Sequence, residues 1–217
     1  PAPHTGTALI VGDPTGDLRY AGEEADAVHR AFYPGGRLLG LSTGDGTPRQ
    51  VADWLRGEGD EGAVLHLACH GTVAENRPRS SYLSLKGGEL TAEEVTDSLP
   101  GRLGLVVLAA CRSQVSGRGY NEAYSLASAF LVAGTRSVIG SLWPVPDEAT
   151  SVLMFMTHHF LRREQESAAR ALRRAQLWVL DPDRTVPPEL PPVLADRLAE
   201  LDPRDLSAWA GFTHLGQ

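Results

Sequence analysis

The stretch that decides the fold reads GLVVLAACRS, from Gly104 to Ser113. Its six apolar residues from Leu105 to Ala110 show no alternation, which is typical of a strand buried on both faces of a parallel sheet. Cys111 follows directly, where the strand would leave the sheet at its carboxyl end. Ligands bind at that edge in open α/β sheets, so the sequence predicts a functional cysteine there.

A second apolar run, AVLHLAC from Ala63 to Cys69, ends in the same way and leads into His70-Gly71. If the two strands are neighbours, a thiol and an imidazole lie at the same edge of one sheet. Nucleophilic cysteine catalysis requires this placement, because the thiol and its base meet in space rather than in sequence. The pair Cys111 and His70 therefore predicts a cysteine protease.

Composition and charge narrow the class of protein. The 217 residues are enough for one domain with a substantial core. The net charge is −7 and no Lys/Arg run exceeds two residues, so direct binding of nucleic acid is not expected. No apolar run approaches the roughly 18 residues that span a bilayer, so no membrane association is expected either. With two cysteines and no signal peptide we expect a cytoplasmic, reduced protein, and the start at Pro1 suggests a domain from a longer chain.

The rest of the chain alternates predicted strands with predicted helices. Strands are predicted over residues 8–11, 38–41, 63–69, 105–110 and 137–141, with a hairpin at 82–88 and a last edge strand over 207–215. Helices are predicted over residues 23–32, 121–132, 147–163 and 167–180, and after capping boxes at 47–50 and 91–94. Residues 181–192 hold five prolines and are predicted to form a connector. The alternation predicts an α/β fold with a mostly parallel sheet and helices on both faces.

Several motifs together resemble one known family, the CHAT domain, a bacterial caspase-like domain related to caspases and separase. Ala110-Cys111-Arg112 resembles the caspase nucleophile signature, with His70 upstream. The motifs that resemble the CHAT domain are HLACHG at 66–71, LVVLAAC at 105–111, AFLVAG at 129–134, SLWPVPDEAT at 141–150 and WAGF at 209–212. The resemblance covers essentially the whole chain and implies a caspase-like three-layer sandwich over residues 1–217. One departure is Arg112-Ser113-Gln114, where the family usually has an acidic or Thr-containing stretch.

The resemblance also implies a mechanism and partners. It implies that His70 and Cys111 form a catalytic dyad that cleaves a protein substrate without a cofactor. A thiolate is the nucleophile, and an imidazole near pKa 6.5 can take or return a proton at neutral pH. Backbone N–H groups of Gly71 and Cys111 are the expected oxyanion donors. Because CHAT domains usually belong to longer proteins, often in bacterial defence or cell-death systems, an activating domain or partner protein is expected outside this chain.

Each of these signals also has a structural interpretation. A cysteine at the end of an apolar strand is commonly a small buried hydrophobe, and Cys69 is expected to pack in this way, directed away from His70. His66 is expected to be a core histidine. The spacing of His66, Cys69, His70 and Cys111 matches no standard zinc-binding pattern, so no metal site is predicted. The alternative function is a catalytically inactive caspase-like module that acts by binding.

Two aspartates of the chain predict which type of residue the substrate carries at P1, the position just before the scissile bond. Caspases select aspartate partly through a glutamine before the Ala-Cys pair, and that position is Ala109 here. Asp147, just past another strand end, resembles the acidic residue that binds a P1 arginine in separase-like relatives. Asp147 is equally suited to be the N-cap of the following helix, and the two roles can coexist. With Asp13, after the first strand, as a second candidate, we predict cleavage after arginine or lysine.

Overall fold

The computed structural model describes residues 7–72, 81–98, 103–109, 122–143 and 145–217, and it confirms the α/β class. Within these ranges the strands are β1 (Ala8–Gly12), β2 (Arg37–Gly40), β3 (Val64–Ala68), β4 (His70–Thr72), β5 (Tyr82–Leu85), β6 (Gly88–Thr91), β7 (Leu105–Leu108), β8 (Ser137–Ser141) and β9 (Phe212–Gly216). The helices are α1 (Arg19–Phe32), α2 (Pro48–Gly57), α3 (Ala92–Ser98), α4 (Glu122–Val132), α5 (Asp147–Arg162), α6 (Ala168–Leu180), α7 (Pro192–Glu200) and α8 (Leu206–Trp209).

The central sheet of the described chain has the strand order β2-β1-β3-β7-β8-β9. Strands β2, β1, β3, β7 and β8 pair in parallel, while β9 runs antiparallel to β8 with Ser137 opposite Gly216. All four residues of β7 are buried, as are all five of β3. The predictions that these two runs are buried strands of one mostly parallel sheet are therefore confirmed.

Helices cover both faces of this sheet, which gives the predicted three layers. On one face, the α1 face, helices α1, α5, α6 and α7 pack on Ile10, Val107 and Ile139. On the other, the α2 face, helices α2, α3 and α4 pack on Leu9 and Val106. Alternate residues of each strand enter one layer or the other, so every central strand is apolar on both sides.

A second, smaller sheet lies beside the site predicted from the sequence. Strands β4, β5 and β6 are antiparallel in that order, so the predicted hairpin is confirmed. His70 is the first residue of β4 and lies opposite Ser84 of β5. The chain thus leaves the central sheet at Ala68 and enters the small sheet two residues later.

Three local predictions differ from the structure. The segment predicted as an edge strand over 207–215 begins with helix α8, and the strand starts only at Phe212. Helix α1 begins at Arg19, four residues earlier than predicted. Helix α7 was not predicted, because the prolines before it suggested a connector, although Pro192 occupies a first-turn position that tolerates proline. Within the described ranges, no helix is both long and apolar enough to cross a membrane.

Candidate active site

The two strands that carry the predicted dyad are direct neighbours. β3 and β7 pair in parallel, with Leu67 opposite Leu108, so their carboxyl ends reach the same edge of the sheet. This is the condition on which the prediction of a thiol and an imidazole at one edge depended. Cys111 itself lies outside the described residues, three positions beyond the end of β7.

Alternate residues of β3 face opposite sides of the sheet, and this alternation continues to Cys69, the residue after the strand. Val64 and Ala68 pack on the α1 face, whereas Leu65, Leu67 and Cys69 pack on the α2 face. Cys69 is only 1% exposed, as expected for a small hydrophobe in the core. The prediction that Cys69 packs in the core is confirmed.

His70 contacts an acidic side chain that the sequence analysis did not select. Its Nε2 lies 3.0 Å from Oδ1 of Asp17, a residue in the loop between β1 and α1. The hydroxyl of Thr15 also donates to Oδ1 of Asp17. The Thr15 hydroxyl first, and His70 after it, hold the pKa of the Asp17 carboxyl below its usual value. Asp17 is therefore an ionised acceptor, although 60% of its side chain is exposed.

The loop that carries Asp17 is held by Asp13, one of the two aspartates predicted to line a P1 pocket. Oδ1 of Asp13 accepts the backbone N–H groups of Gly16, Asp17 and Leu18 at 2.8–2.9 Å. Asp13 is 1% exposed and has a left-handed backbone with φ of 46°. Because this carboxylate accepts three loop amides, the geometry favours a role in shaping the loop rather than in contacting a substrate.

A row of buried polar side chains lies under this edge, between the sheet and helices α1 and α5. His66 Nε2 is 2.9 Å from Oε1 of Glu24, without the alignment of a hydrogen bond. His66 Nδ1 lies 3.1 Å from Nε2 of His158, whose Nδ1 is 2.9 Å from the hydroxyl of Tyr33. The prediction that His66 is a core histidine is confirmed. Among the residues described, no three His, Cys, Asp or Glu side chains are grouped as metal ligands would be.

Burial shifts the pKa values of two of these side chains, His66 and Glu24. It lowers the pKa of His66 to about 3, so the imidazole is neutral at physiological pH. Burial first, and the negative charge of Asp147 second, raise the pKa of the Glu24 carboxyl well above its usual value. Burial therefore favours the neutral form of both groups in the contact between His66 and Glu24.

Asp147 occupies the first helical position of α5 and is not the N-cap. The cap position is Pro146, which offers no side-chain hydrogen bond. The N-cap interpretation of Asp147 is therefore wrong, since the helix starts one residue earlier than that role requires. Its charge acts on Glu24 of α1, and helices α1 and α5 pack together.

The structure places several of the predicted site residues after the carboxyl ends of strands of the central sheet. His70 and Gly71 open the small sheet beside the loop that begins at Asp13, while Asp147 starts α5 after the next parallel strand, β8. Sequence reasoning missed Asp17 because Thr15-Gly16-Asp17 has the composition of a simple turn. The signal that could have found it is the strand order, since β1 pairs with β3 and the residues after both strands share an edge.

Comparison with known families agrees with this arrangement. The family model for the CHAT domain matches residues 1–217, the whole chain. The chain therefore belongs to the CHAT domain family, whose members are caspase-like, protease-related domains. Among the curated proteins compared with the chain, none matches it.

Proposed function

We propose that the chain is a cysteine endopeptidase in which His70 and Cys111 form the dyad and Asp17 orients the histidine. The observation that carries this proposal is the parallel pairing of β3 with β7, together with the contact between His70 and Asp17. The alternation along β7 adds support. Leu105, Val107 and Ala109 pack on the α1 face, and Cys111 follows Ala109 by two positions.

The contact with Asp17 selects a tautomer of His70. An ionised carboxylate only accepts hydrogen bonds, so the proton of a neutral imidazole resides on Nε2. Nδ1 is then the basic nitrogen and is available to take the proton of a thiol. Asp17 is largely exposed, and the role proposed for it is to orient the ring of His70.

The reaction proposed for this site has two steps. The Cys111 thiolate attacks the scissile carbonyl carbon, His70 protonates the departing amine, and a thioester remains on the sulfur. His70 then removes a proton from water, which attacks the thioester and releases the new carboxylate together with the thiol. Backbone N–H groups of Gly71 and Cys111 are proposed to stabilise the oxyanion in both steps.

We assign the P1 preference to Asp147 and propose cleavage after arginine or lysine. Asp147 does not cap its helix through the N-cap position, and it lies close enough to Glu24 to raise the pKa of that carboxyl. The negative charge of Asp147 favours a cationic ligand, and an arginine can bind a carboxylate through two hydrogen bonds. Asp13 is the weaker candidate because it accepts three amides of its own loop.

We place this activity in a regulated cytoplasmic effector of a bacterial defence or cell-death system, switched on by a domain or partner outside the chain. The support for this setting is membership of the CHAT family alone. The protein substrate is to be identified by cleavage-site profiling of a proteome, with a Cys111→Ala variant as the control.

The test of the catalytic assignment is labelling by an electrophilic peptide ketone that carries arginine at P1. Selective modification of Cys111, lost in His70→Ala and retained in Cys69→Ala, is the expected result. Cys69 is the matched control because it is 1% exposed and packs on the α2 face. A folded protein that neither reacts at Cys111 nor cleaves any proteome peptide would instead support an inactive interaction module.

A further inference from the structure

A groove of about 310 Å³ lies at the carboxyl edge of the sheet, beside the candidate active site. Three segments form its walls: the β1–α1 loop at 14–16, the turn after β2 at 40–45, and the hairpin turn with Leu85, Lys86 and Gly87. Its volume is at the lower end of the roughly 300–1,000 Å³ that is usual for ligand pockets. None of the catalytic or pocket residues assigned above lines the groove.

Two short chain segments connect the groove to His70. His70 pairs with Ser84, and the next two residues of that strand and turn, Leu85 and Lys86, line the groove. On the other side, Asp17 contacts His70, while its neighbour Gly16 lines the groove. On each segment, the residue that pairs with or contacts His70 is therefore the direct neighbour of a residue that lines the groove.

The strand order places the groove on one side of His70 and Asp147 on the other. In the order β2-β1-β3-β7-β8, the groove lies at the ends of β2 and β1, whereas Asp147 follows β8. A substrate whose P1 side chain points toward Asp147, and whose chain continues past His70, runs toward β1 and β2. The residues after the scissile bond then run over the groove.

The lining indicates an apolar occupant. Leu41 is a large hydrophobic residue that is 58% exposed, and it supplies the accessible apolar surface of the groove, because its apolar neighbours Pro14 and Leu85 are buried. Both charged residues of the rim already have partners, since Lys86 donates to the carbonyl of Gly44 and Asp45 accepts from Gln50. A ligand side chain that covers Leu41 would remove its apolar surface from water.

We propose that this groove binds an apolar side chain of the substrate polypeptide, about three residues after the scissile bond; this inference rests on the proposed function. Two strand spacings separate β3 from β2, roughly 10 Å, and an extended chain covers that distance in about three residues at roughly 3.3 Å each. The groove thereby adds a second selection step to that made by the P1 pocket.

The test compares two substrates that share the sequence up to P1, with whichever P1 residue cleavage profiling prefers. One is a coumarin amide that ends at the scissile bond. The other is an internally quenched peptide that continues Gly-Gly-X, with X as leucine, glycine or aspartate. The expected kcat/KM is about tenfold higher for leucine than for glycine, because one apolar side chain is buried.

The variant Leu41→Asp should bring the ratio of the leucine to the glycine peptide down to about one. Leu177→Asp is the matched control, because Leu177 is also exposed, at 53%, but lies on α6 at the α1 face, and it should keep the wild-type ratio. Both variants should unfold at the wild-type temperature, since each changed residue is exposed.

The outcomes separate the two proposals. Equal kcat/KM for all three peptides, or the same ratio in Leu41→Asp and Leu177→Asp, overturns the groove while hydrolysis of the coumarin amide upholds the peptidase. If neither the coumarin amide nor any peptide is cleaved, the proposed function fails and the groove assignment fails with it.

Discussion

Two histidines four positions apart, His66 and His70, each contact a carboxyl group on the α1 side of the sheet. The contact of His66 with Glu24 is fully buried, and burial favours the neutral form of both partners. The contact of His70 with Asp17 is open to water, and the carboxylate stays ionised. The same pair of groups is thus a structural element in one place and a candidate base with its acceptor in the other. Access to solvent makes the difference.

The largest effect expected from this comparison is the loss of activity in His70→Ala. Removing a general base typically costs about 10²–10⁴-fold in rate, so kcat/KM should fall by about 10³ or more. The side chain of His70 is 19% exposed and lies at the edge of the sheet, so the free energy of unfolding should fall by only about 1 kcal/mol. Steady-state kinetics and urea unfolding check the two expectations. His66→Ala should show the reverse pattern, with a loss of stability, because it leaves His158 and Glu24 buried without this partner.

The second prediction concerns the pH dependence of stability. The pKa of His66 is lowered in the fold, so this residue makes stability rise with pH from about 3 to 6.5. The pKa of Glu24 is raised, so this residue makes stability fall as pH rises above 4.5. Between pH 4.5 and 6.5 the two contributions oppose each other.

Glu24→Gln should remove the falling contribution. The free energy of unfolding should then rise with pH between 4.5 and 6.5 more steeply than in the wild type, by up to about 1.4 kcal/mol per pH unit. Chemical unfolding at four or five pH values measures this slope. Identical slopes in the two proteins would show that Glu24 is ionised in the folded state.

A smaller effect is expected from Asp17→Ala. Loss of the acceptor leaves both tautomers of His70 accessible, and water can replace an exposed carboxylate, so kcat should fall by about tenfold rather than by the full contribution of the base. Asp17→Asn keeps an acceptor oxygen and should recover part of the rate. Asp53→Ala, at another exposed aspartate, is the control. An unchanged kcat in Asp17→Ala would mean that another group orients His70.

The smallest effect is expected from Cys69→Ala. The change removes one sulfur atom from a packed site on the α2 face and should lower the free energy of unfolding by about 1 kcal/mol. Peptidase activity and labelling of Cys111 should be unaffected. Loss of activity in this variant, with the fold intact, would place the reactive thiol at position 69.

The sequence predicted the features that depend only on neighbouring residues, within one strand or at one helix end. The unbroken apolar runs at 63–69 and 105–110 predicted buried parallel strands, because only a strand covered on both faces needs such a run. His70 was found because it follows one of these strands directly. Capping boxes at Thr47 and Thr91 were also readable, since each is a local hydrogen-bond pattern.

What the sequence did not reveal depends on contacts between distant segments. Asp17 meets His70 across 53 positions, through the pairing of β1 with β3. Glu24 is an ordinary helical residue in the sequence, and the packing of α1 on the sheet and on α5 buries it beside His66. The N-cap interpretation of Asp147 was wrong because sequence fixes the boundary of a helix only to within a residue or two, and that small uncertainty decides which residue is the cap.

The antiparallel strand β9 also affects the order in which the chain can fold. About seventy residues separate Ser141 at the end of β8 from its partner Phe212, and four helices lie between them. At a synthesis rate of about 5–20 residues per second, the edge of β8 stays unpaired on the ribosome for roughly 4–14 s. An exposed strand edge can pair with other chains. Covering the edge of β8 therefore depends on β9, so a nascent chain released before β9 is made would carry an edge prone to aggregation.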